Sequence, residues 1–360
     1  MKFALKKSTL LLAILSIMLF SACHVEFSPN ASWKDIPVVY GILDQDEDTT
    51  FIRIQRCYLG EGNNYEYAQL FDSINYSEGE IDVQMIEWEA VRGARNILSV
   101  SPYATAPKKI FHFEYHLLSD KEEGGFYAPH QPIYICNTKN QLDTSCVYQL
   151  LVINTASKDT LAKAQTYLIG DGLLLNQPSE VVGFAFTGTG TKYCNLEWTA
   201  LPRARLYQPS VRFHYFEFII NNNNNVLDTV INRRYIDIDG NIIKNNLATR
   251  LITTRFEQST FLNVIKDSIH DYSINKIAID TIDLTIKCCT EDLAAYLFSH
   301  QENGSINQDR ISYTNIEGGL GVFAARRSHI KYRLHTPASS NSQYKKDLEA
   351  LGVGFYQGRN

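Results

Sequence analysis

The sequence has few cysteines, few methionines and no marked excess of positive charge. Its 360 residues include 7 cysteines and 3 methionines, and the formal net charge is −5. Cysteine this sparse excludes a small scaffold built on disulfides, and the slightly acidic balance argues against nucleic acid as a partner. Because 44% of the residues are hydrophobic, the chain is too apolar to be disordered. Tyrosine (21) and phenylalanine (18) are plentiful instead, a bias typical of strands.

Sequence signatures of catalysis are lacking as well. The chain contains no G-x-S-x-G or H-E-x-x-H motif, and no C-x-x-C or Cys/His spacing that would hold a metal. Three glycines between Tyr313 and Phe323 lack the spacing and the following helix of a phosphate-binding loop. They predict a bulge or a close backbone approach before a strand over 320–325. We therefore predict no catalytic residue, no metal, no cofactor and no enzymatic activity.

The N-terminus carries the clearest signal in the chain. Lysines precede an apolar run over residues 10–20, and the small residues Ser-Ala stand directly before Cys23. The apolar run is short for a permanent transmembrane helix, and its flanks are typical of a lipoprotein signal peptide. We predict that residues 1–22 are removed, that the thiol of Cys23 carries diacylglycerol, and that residues 23–35 form a lipid-anchored tether. No later segment is long and apolar enough to span a membrane.

Alternation of apolar and polar side chains predicts strands through most of the remaining chain. Residues 50–59 and 109–118 alternate with period two, and turns rich in Gly, Asn and Asp separate such runs. Strands at this spacing predict a mainly β protein with two β-sandwich-like domains. The predicted order is an N-terminal immunoglobulin-like β-sandwich domain (36–170), a linker (171–180), a C-terminal β-rich domain (181–335) and a C-terminal tail (336–360).

One or two short helices are predicted in the second domain. Apolar residues recur at helical spacing near 256–270 and near 290–302. Thr290 stands where a hydroxyl can cap the N-terminus of the second helix. The helices are therefore expected to be confined to the C-terminal half.

The cysteines suggest one candidate disulfide. Cys136 and Cys146 flank a polar stretch between two apolar runs, as a bridge across the base of a hairpin would. Two buried free thiols are the alternative. Cys288 and Cys289 are adjacent on a predicted strand, so their side chains should point to opposite faces, and one of them could pair with a distant cysteine.

Two kinds of metal site were weighed and set aside. His112, Glu114 and His116 share a face of the predicted strand, but the ends of the trio lie about 13 Å apart at the backbone. A solvated strand face is the better interpretation. The acidic segments 44–48 and 237–241 resemble calcium loops, yet they lack the glycine or the twelfth-position glutamate that such loops use. Both are predicted to be turns.

A tyrosine-rich segment is the candidate contact site for a ligand or partner. Tyr58, Tyr65 and Tyr67 surround a loop of glycine and asparagine. Exposed rings at such a loop can stack on a sugar or anchor a protein. The alternative interpretation is a long loop whose rings pack against their own sandwich.

Several segments, in the same order, resemble a known group of proteins. They are similar to Bacteroidota outer-membrane lipoproteins of the domain-of-unknown-function (DUF-4249-like) type, and they comprise residues 38–44, 51–63, 72–76, 125–129, 292–296 and 313–326. The resemblance implies a mainly β lipoprotein of the outer membrane, often encoded near TonB-dependent receptors. Whether it faces the periplasm or the cell surface stays open. The group has no established catalytic residues to carry over.

Three functions follow from these observations. The favoured one is a non-enzymatic interaction or accessory module, held to the membrane by lipid on Cys23 and placed beside a TonB-dependent outer-membrane transporter. The alternative is a surface lipoprotein that binds a glycan or a peptide at Tyr58, Tyr65 and Tyr67. A hydrolase with an unrecognised site is the remote third.

Overall fold

A computed structural model describes most of the chain after the predicted tether. The described residues are 35–57, 63–93, 97–119, 127, 130–179, 183–219, 230–245, 249–269, 275–300, 313–334 and 338–355. Strand makes up 52% and helix 14% of the part of the chain that the structure describes, which confirms the mainly β, β-sandwich-like class. The predicted signal peptide and Cys23 lie outside the described residues, and only Asp35 of the tether lies within them.

Most of the elements are strands, and short turns join many of them. The strands of the N-terminal half are β1 (Pro37–Asp44), β2 (Thr49–Arg56), β3 (Ile81–Arg92), β4 (Leu98–Val100), β5 (Lys109–His112), β6 (Glu114–Leu118), β7 (Gln131–Asn137), β8 (Cys146–Asn154) and β9 (Thr160–Tyr167). Those of the C-terminal half are β10 (Leu175–Gln177), β11 (Tyr193–Thr199), β12 (Leu206–Ile219), β13 (Val230–Asp239), β14 (Ile243–Lys244), β15 (Leu251–Glu257), β16 (Asn275–Cys289) and β17 (Leu320–Leu334). The helices are α1 (Asn64–Tyr67), α2 (Phe71–Ile74), α3 (Gln258–Ser268), α4 (Glu291–Ser299) and α5 (Ala338–Ala350).

One large sheet joins strands from both ends of the chain. Its order is β13-β12-β16-β17-β1-β2-β7-β6, with β14 paired to β12 beside this path. β1 and β17 run parallel, with Val38 opposite Leu320 and Asp44 opposite Arg326, while the neighbouring pairs are antiparallel. Parallel pairing of these two strands requires the long crossover that the intervening chain supplies. The first and last strands thus lie side by side at the centre of the sheet.

The N-terminal half packs as a β-sandwich. A five-stranded sheet, β4-β3-β8-β9 with β5 on β3, faces the large sheet. Alternate residues of β1 and β2, such as Val39 and Ile54, enter one apolar cluster with Met85 and Leu150 of the smaller sheet. Period-two alternation places these side chains on one face of each strand, which is why the sequence pattern identified the strands.

The C-terminal half builds its core from a different set of layers. A three-stranded sheet, β10-β11-β15, and helices α3 and α5 pack against the other part of the large sheet. Trp198, Phe213 and Phe261 are fully buried there. The predicted boundary at 171–180 stays a prediction. Strand β17 belongs to both halves, because Phe323 packs in the N-terminal cluster and Leu334 in the C-terminal one.

The helices agree in part with expectation. α3 and α4 lie within the two segments predicted to be helical. The Thr290 hydroxyl, predicted to cap α4, instead donates to the Ala325 carbonyl 3.2 Å away and makes no cap bond. The segment predicted as a C-terminal tail contains α5, whose Tyr344 and Leu348 are buried one helical turn apart. The helices are thus not confined to residues 256–302, and α1 and α2 are single turns in the N-terminal half.

Two further sequence expectations concern backbone geometry. Gly321 has φ +104°, and a side chain there would collide with the backbone of Val39 on the neighbouring strand β1. This close approach at the start of β17 confirms the reading of the glycines near residue 320. The single strand predicted over 109–118 is wrong, because the chain changes sheets at the buried Phe113, with β5 on β3 and β6 on β7.

Candidate binding surface

The candidate binding surface lies on the face of the large sheet that is turned away from the N-terminal sandwich. The register aligns Leu206 of β12, Cys289 of β16 and Arg326 of β17 in one row across three strands. Gln208 and Lys287 are opposite each other two residues along. Since alternate residues of a strand share a face, these five side chains project from the same side of the sheet.

Helix α4 lies over this face and gives it an apolar floor. The chain leaves β16 at Cys289 and enters α4 directly after Thr290, so the helix is folded back over the strands that precede and follow it. Leu293 of the helix packs with Leu206, Cys289 and Val322 of the sheet. These contacts stabilise α4 in place, because nine-residue helices are marginal in water without tertiary packing.

A pocket of about 240 Å³ opens between the helix and the strands, and we call it the α4 pocket. Its apolar lining includes Leu206, Cys289 and Leu293, with Ile242 and Leu297 at the mouth. Ile242 is 46% exposed and Leu297 42% exposed, which is high for large aliphatic side chains beside a pocket. The polar lining comes from Gln208, Lys287 and Arg326.

The charged lining residues of the α4 pocket are both cations. Lys287 Nζ lies 3.1 Å from Asp239 Oδ1, and Arg326 Nε lies 3.0 Å from Asp44 Oδ2. Asp44 is only 6% exposed, and this burial raises the pKa of its carboxyl despite the bond from Arg326. No acidic side chain is among the residues that line the pocket in the described part of the chain. The pocket therefore has an apolar floor and a cationic rim.

The same sheet face continues from the pocket as a row of paired charges. Arg212 binds Asp237 through two hydrogen bonds of 2.6 and 2.9 Å, and its guanidinium lies 4.2 Å from the ring centre of Tyr235. The bond from Arg212 lowers the pKa of Asp237. Nε2 of His214, in the next row, is 2.9 Å from Oδ2 of Asp283, which lies opposite Arg212. Side chains of both signs thus alternate along the face beside the pocket.

The acidic segments that resemble calcium loops use their carboxylates in ion pairs. Asp237 and Asp239 belong to β13 and bind Arg212 and Lys287. The turn predicted over 237–241 therefore begins later, after Asp239. The turn that follows Asp44 agrees with expectation, and Asp46 and Asp48 in it bind Arg327 and Lys139. These carboxylates hold cationic side chains of this chain.

The cysteines are free thiols wherever the structure describes them. Cys288 and Cys289 point to opposite faces of β16, as predicted, and neither has a disulfide partner. Burial raises the pKa of the Cys289 thiol to about 12. A thiol with so high a pKa is protonated at neutral pH and is a poor nucleophile.

The candidate disulfide between Cys136 and Cys146 is not formed. Cys136 is the second-to-last residue of β7, which pairs with β2 and β6 in the large sheet. Cys146 begins β8, which pairs with β3 and β9 in the smaller sheet. The polar stretch between them therefore crosses from one layer of the sandwich to the other. It does not close a hairpin, which was the premise of the predicted bridge.

No sequence pattern indicates the cluster of polar side chains around Lys108. Glu87, Asp143 and Cys146 place ligand atoms within 4.8 Å of one another. The ammonium of Lys108 lies among them, 3.0 Å from Asp143, 3.1 Å from the Cys146 sulfur and 3.6 Å from Glu87. Hydrogen bonds from Ser145 and Lys108 lower the pKa of Asp143. The groups come from separate elements, so no spacing rule could have found them, and the lysine takes the place a cation would occupy.

The three residues set aside above as a metal site are divided between two sheets. His112 ends β5 on the smaller sheet, while Glu114 and His116 belong to β6 on the large one. His116 Nε2 lies 3.8 Å from Glu114 Oε2, with both side chains well exposed. The pattern that suggested a shared face depended on one continuous strand, which is not present.

The tyrosine-rich segment is described only in part. Tyr58 lies outside the described residues, whereas Tyr65 and Tyr67 fall in α1. Tyr65 is 80% exposed and Tyr67 is half-buried. Residues two apart on a helix do not face each other, so these two rings do not form one stacking platform. Ligand or partner contact at the three tyrosines stays a prediction.

No helix among the described residues has both the length and the hydropathy needed to cross a membrane. Compared with models of protein families and with curated proteins, the chain matches neither a family nor a curated protein. The resemblance to outer-membrane lipoproteins therefore stays a prediction.

Proposed function

We propose that the protein is a lipid-anchored, non-enzymatic protein of the outer membrane that acts as an interaction or accessory module beside a TonB-dependent transporter. The anchor is supported by the signal-peptide pattern that ends at Cys23. The interaction role is supported by the sheet face under α4, where Ile242 and Leu297 stand exposed at a cationic, apolar pocket. Exposed apolar side chains rimmed by charges are typical of surfaces that bind partners.

The chemistry of this surface favours binding over catalysis. Its charged side chains bind one another, as Arg212 binds Asp237 and Lys287 binds Asp239. The thiols beside the pocket are held in the protonated form by burial. Groups arranged in this way can recognise a partner by charge and shape, and the proposed role rests on that arrangement.

Affinity purification of the full chain from solubilised membranes tests the proposal. A tag at the C-terminus should co-purify an outer-membrane transporter, and an alkyne analogue of palmitate should label the protein. The Cys23→Ala variant is the control, since it should lose both the label and the membrane fraction. Recovery of the wild-type protein from the soluble periplasm, without label, would contradict the lipid anchor. Protease treatment of intact cells then distinguishes the cell surface from the periplasmic face.

A second function has one observation in its favour. Tyr65 exposes 80% of its surface in α1, and Tyr235 is exposed beside Arg212 on the large sheet. Exposed rings bind the apolar face of a sugar. A glycan-binding surface lipoprotein would retain oligosaccharide on an array without any protein partner, and Tyr65→Ala should reduce that retention.

A further inference from the structure

The α4 pocket is the part of the surface whose chemistry is specific enough to name a ligand class. Its volume of about 240 Å³ is below the roughly 300–1,000 Å³ of sites that enclose a drug-sized molecule. It can therefore hold one large side chain rather than a whole ligand. Its floor of Leu206, Leu293 and Cys289 is apolar, so that side chain must be apolar as well.

The rim of the pocket favours a ligand that carries a negative charge. Arg326 uses its Nε on Asp44, and its two Nη groups have no hydrogen-bond acceptor among the described residues. Its side chain is 54% exposed, so a ligand can reach those groups. Lys287 stands on the neighbouring strand with the same orientation. An anion placed at this rim would gain charge-assisted bonds that the apolar lining cannot supply.

The surroundings distinguish a polypeptide from a free fatty acid. Arg212, Asp237 and Lys287 with Asp239 extend from the pocket along the sheet as donors and acceptors of both signs. A peptide backbone carries donors and acceptors that can add to these ion pairs, whereas a hydrocarbon tail offers the row neither. The anion and the apolar group must also be close together, because the pocket is only one side chain deep.

We infer that the α4 pocket binds the carboxy-terminal residue of a partner polypeptide, with its large apolar side chain against the floor of Leu206, Cys289 and Leu293 and its carboxylate on Arg326. The carboxylate accepts hydrogen bonds from the Nη groups of Arg326, and Lys287 adds a second positive charge. The chain that precedes this residue lies along the row of paired charges. This inference rests on the proposed interaction role and specifies the partner's chemistry.

Binding of a defined peptide by the full chain in lipid nanodiscs tests the inference. The probe is a fluorescein-labelled Gly-Ser-Gly-Ser-Leu-Phe peptide with a free terminal carboxylate, compared with the same peptide amidated at that end. Fluorescence anisotropy should show binding of the acid, and amidation should weaken it about tenfold, as expected for the loss of a charge-assisted hydrogen bond. No binding, or equal binding of acid and amide, overturns the inference.

Matched variants assign the effect to the pocket. Arg326→Met should bind acid and amide equally, whereas Arg233→Met should bind like the wild type. Arg233 is a suitable control because it is 53% exposed and pairs with Asp280 away from the pocket. Leu297→Glu places a carboxylate at the mouth of the pocket from an exposed position. It should weaken binding of the peptide acid without changing the midpoint temperature of thermal unfolding. An unchanged affinity of this variant would overturn the placement, even where Arg326→Met is unstable.

Competition with sodium decanoate distinguishes a site for the carboxy-terminus of a polypeptide from a site for a free fatty acid. The inference expects decanoate to displace the peptide only weakly, and displacement at equal or lower concentration identifies a fatty-acid site and overturns it. Failure here is distinguishable from failure of the proposed function. If a transporter co-purifies but the peptide does not bind, only the pocket inference fails. If the peptide binds but no transporter co-purifies, the pocket inference stands and the accessory role fails.

Discussion

Arg326 and Asp44 join the last long strand of the protein to the first. Arg326 Nε lies 3.0 Å from Asp44 Oδ2, across a separation of 282 residues in the chain. The two residues are direct partners in the parallel register of β17 and β1. Asp44 is buried while Arg326 is half-exposed, and among the described residues this one side chain provides the countercharge of the carboxylate. The pair therefore links the proposed binding rim to the closure of the sheet.

Removal of Arg326 should destabilise the protein in a pH-dependent way. Arg326→Met leaves a buried carboxylate without its countercharge, which should cost about 1–3 kcal/mol of unfolding free energy at neutral pH. Burial raises the pKa of Asp44 above its ordinary value of 3.8 in the folded protein. The folded state thus holds this proton more tightly than the unfolded state, and stability falls as pH rises above about 4. Urea denaturation of the variant at several pH values should show a cost that shrinks towards pH 4.

The Asp44→Asn background provides the control for this pH dependence. A neutral amide cannot titrate, so Arg326→Met in that background should cost much less and its cost should not vary with pH. Arg233→Met should change the unfolding free energy by less than about 1 kcal/mol, as expected for an exposed pair. A cost of Arg326→Met that is the same with and without Asp44 would contradict the role of the ion pair.

Gly321 should tolerate no side chain. Its φ is +104°, and an alanine Cβ would collide with the carbonyl of Val39 on β1. Gly172 is a matched control, because its φ is +101° while nothing lies within 4 Å of the position that a Cβ would take. Gly172→Ala should cost about 1 kcal/mol from backbone strain alone, whereas Gly321→Ala should cost more than about 3 kcal/mol or prevent folding. Thermal unfolding measures both, and equal costs would show that the close approach of β17 to β1 does not matter.

The C-terminal helix should behave as part of the core. Leu348 is fully buried, and Leu348→Ala should lower the unfolding free energy by about 2–5 kcal/mol because it leaves a cavity. Leu174 is 65% exposed, so Leu174→Ala should stay within about 0.5 kcal/mol of the wild type. A tail without tertiary contacts would make the two substitutions equivalent.

The thiols should stay reduced and slow to react in the folded protein. Burial raises the pKa of Cys194 and Cys146 to about 11, so thiolate at these positions is scarce at neutral pH. Iodoacetamide should label them only after urea unfolds the chain, as peptide mass spectrometry can show. Detection of a Cys136–Cys146 peptide under non-reducing conditions would contradict the two-sheet separation of these residues. Protein isolated without reductant is the sample to use, so that any disulfide formed in the cell persists.

Local sequence patterns were sufficient to predict a strand or helix where one face of the element is buried. β1 and β2 alternate buried and exposed residues, and α3 places Phe261 and Ile265 on one buried face, so period and spacing identified them. The same rule failed over 109–118, where the alternation is uninterrupted but the strand is not. Phe113 is buried at the point where the chain passes from one sheet to the other. The period-two pattern does not show that the neighbouring strand has changed there.

The candidate site depends on contacts that no local pattern contains. Leu206, Cys289 and Arg326 are distant in sequence and meet because β12, β16 and β17 pair in one register. Lys108 joins Glu87, Asp143 and Cys146 for the same reason. Spacing rules find groups within one element, whereas pairing between strands decides which groups from different elements share a surface.

By itself the sequence determined the mainly β class, the positions of α3 and α4, and the glycine-dependent approach near residue 320. These features follow from side-chain periodicity and from backbone angles that only glycine adopts readily. The tertiary structure alone decided that the first and last strands are neighbours, that the thiols are kept apart, and that a cationic, apolar pocket forms under α4. Those outcomes depend on strand order and register, which are set by the packing of the whole core rather than by any one segment.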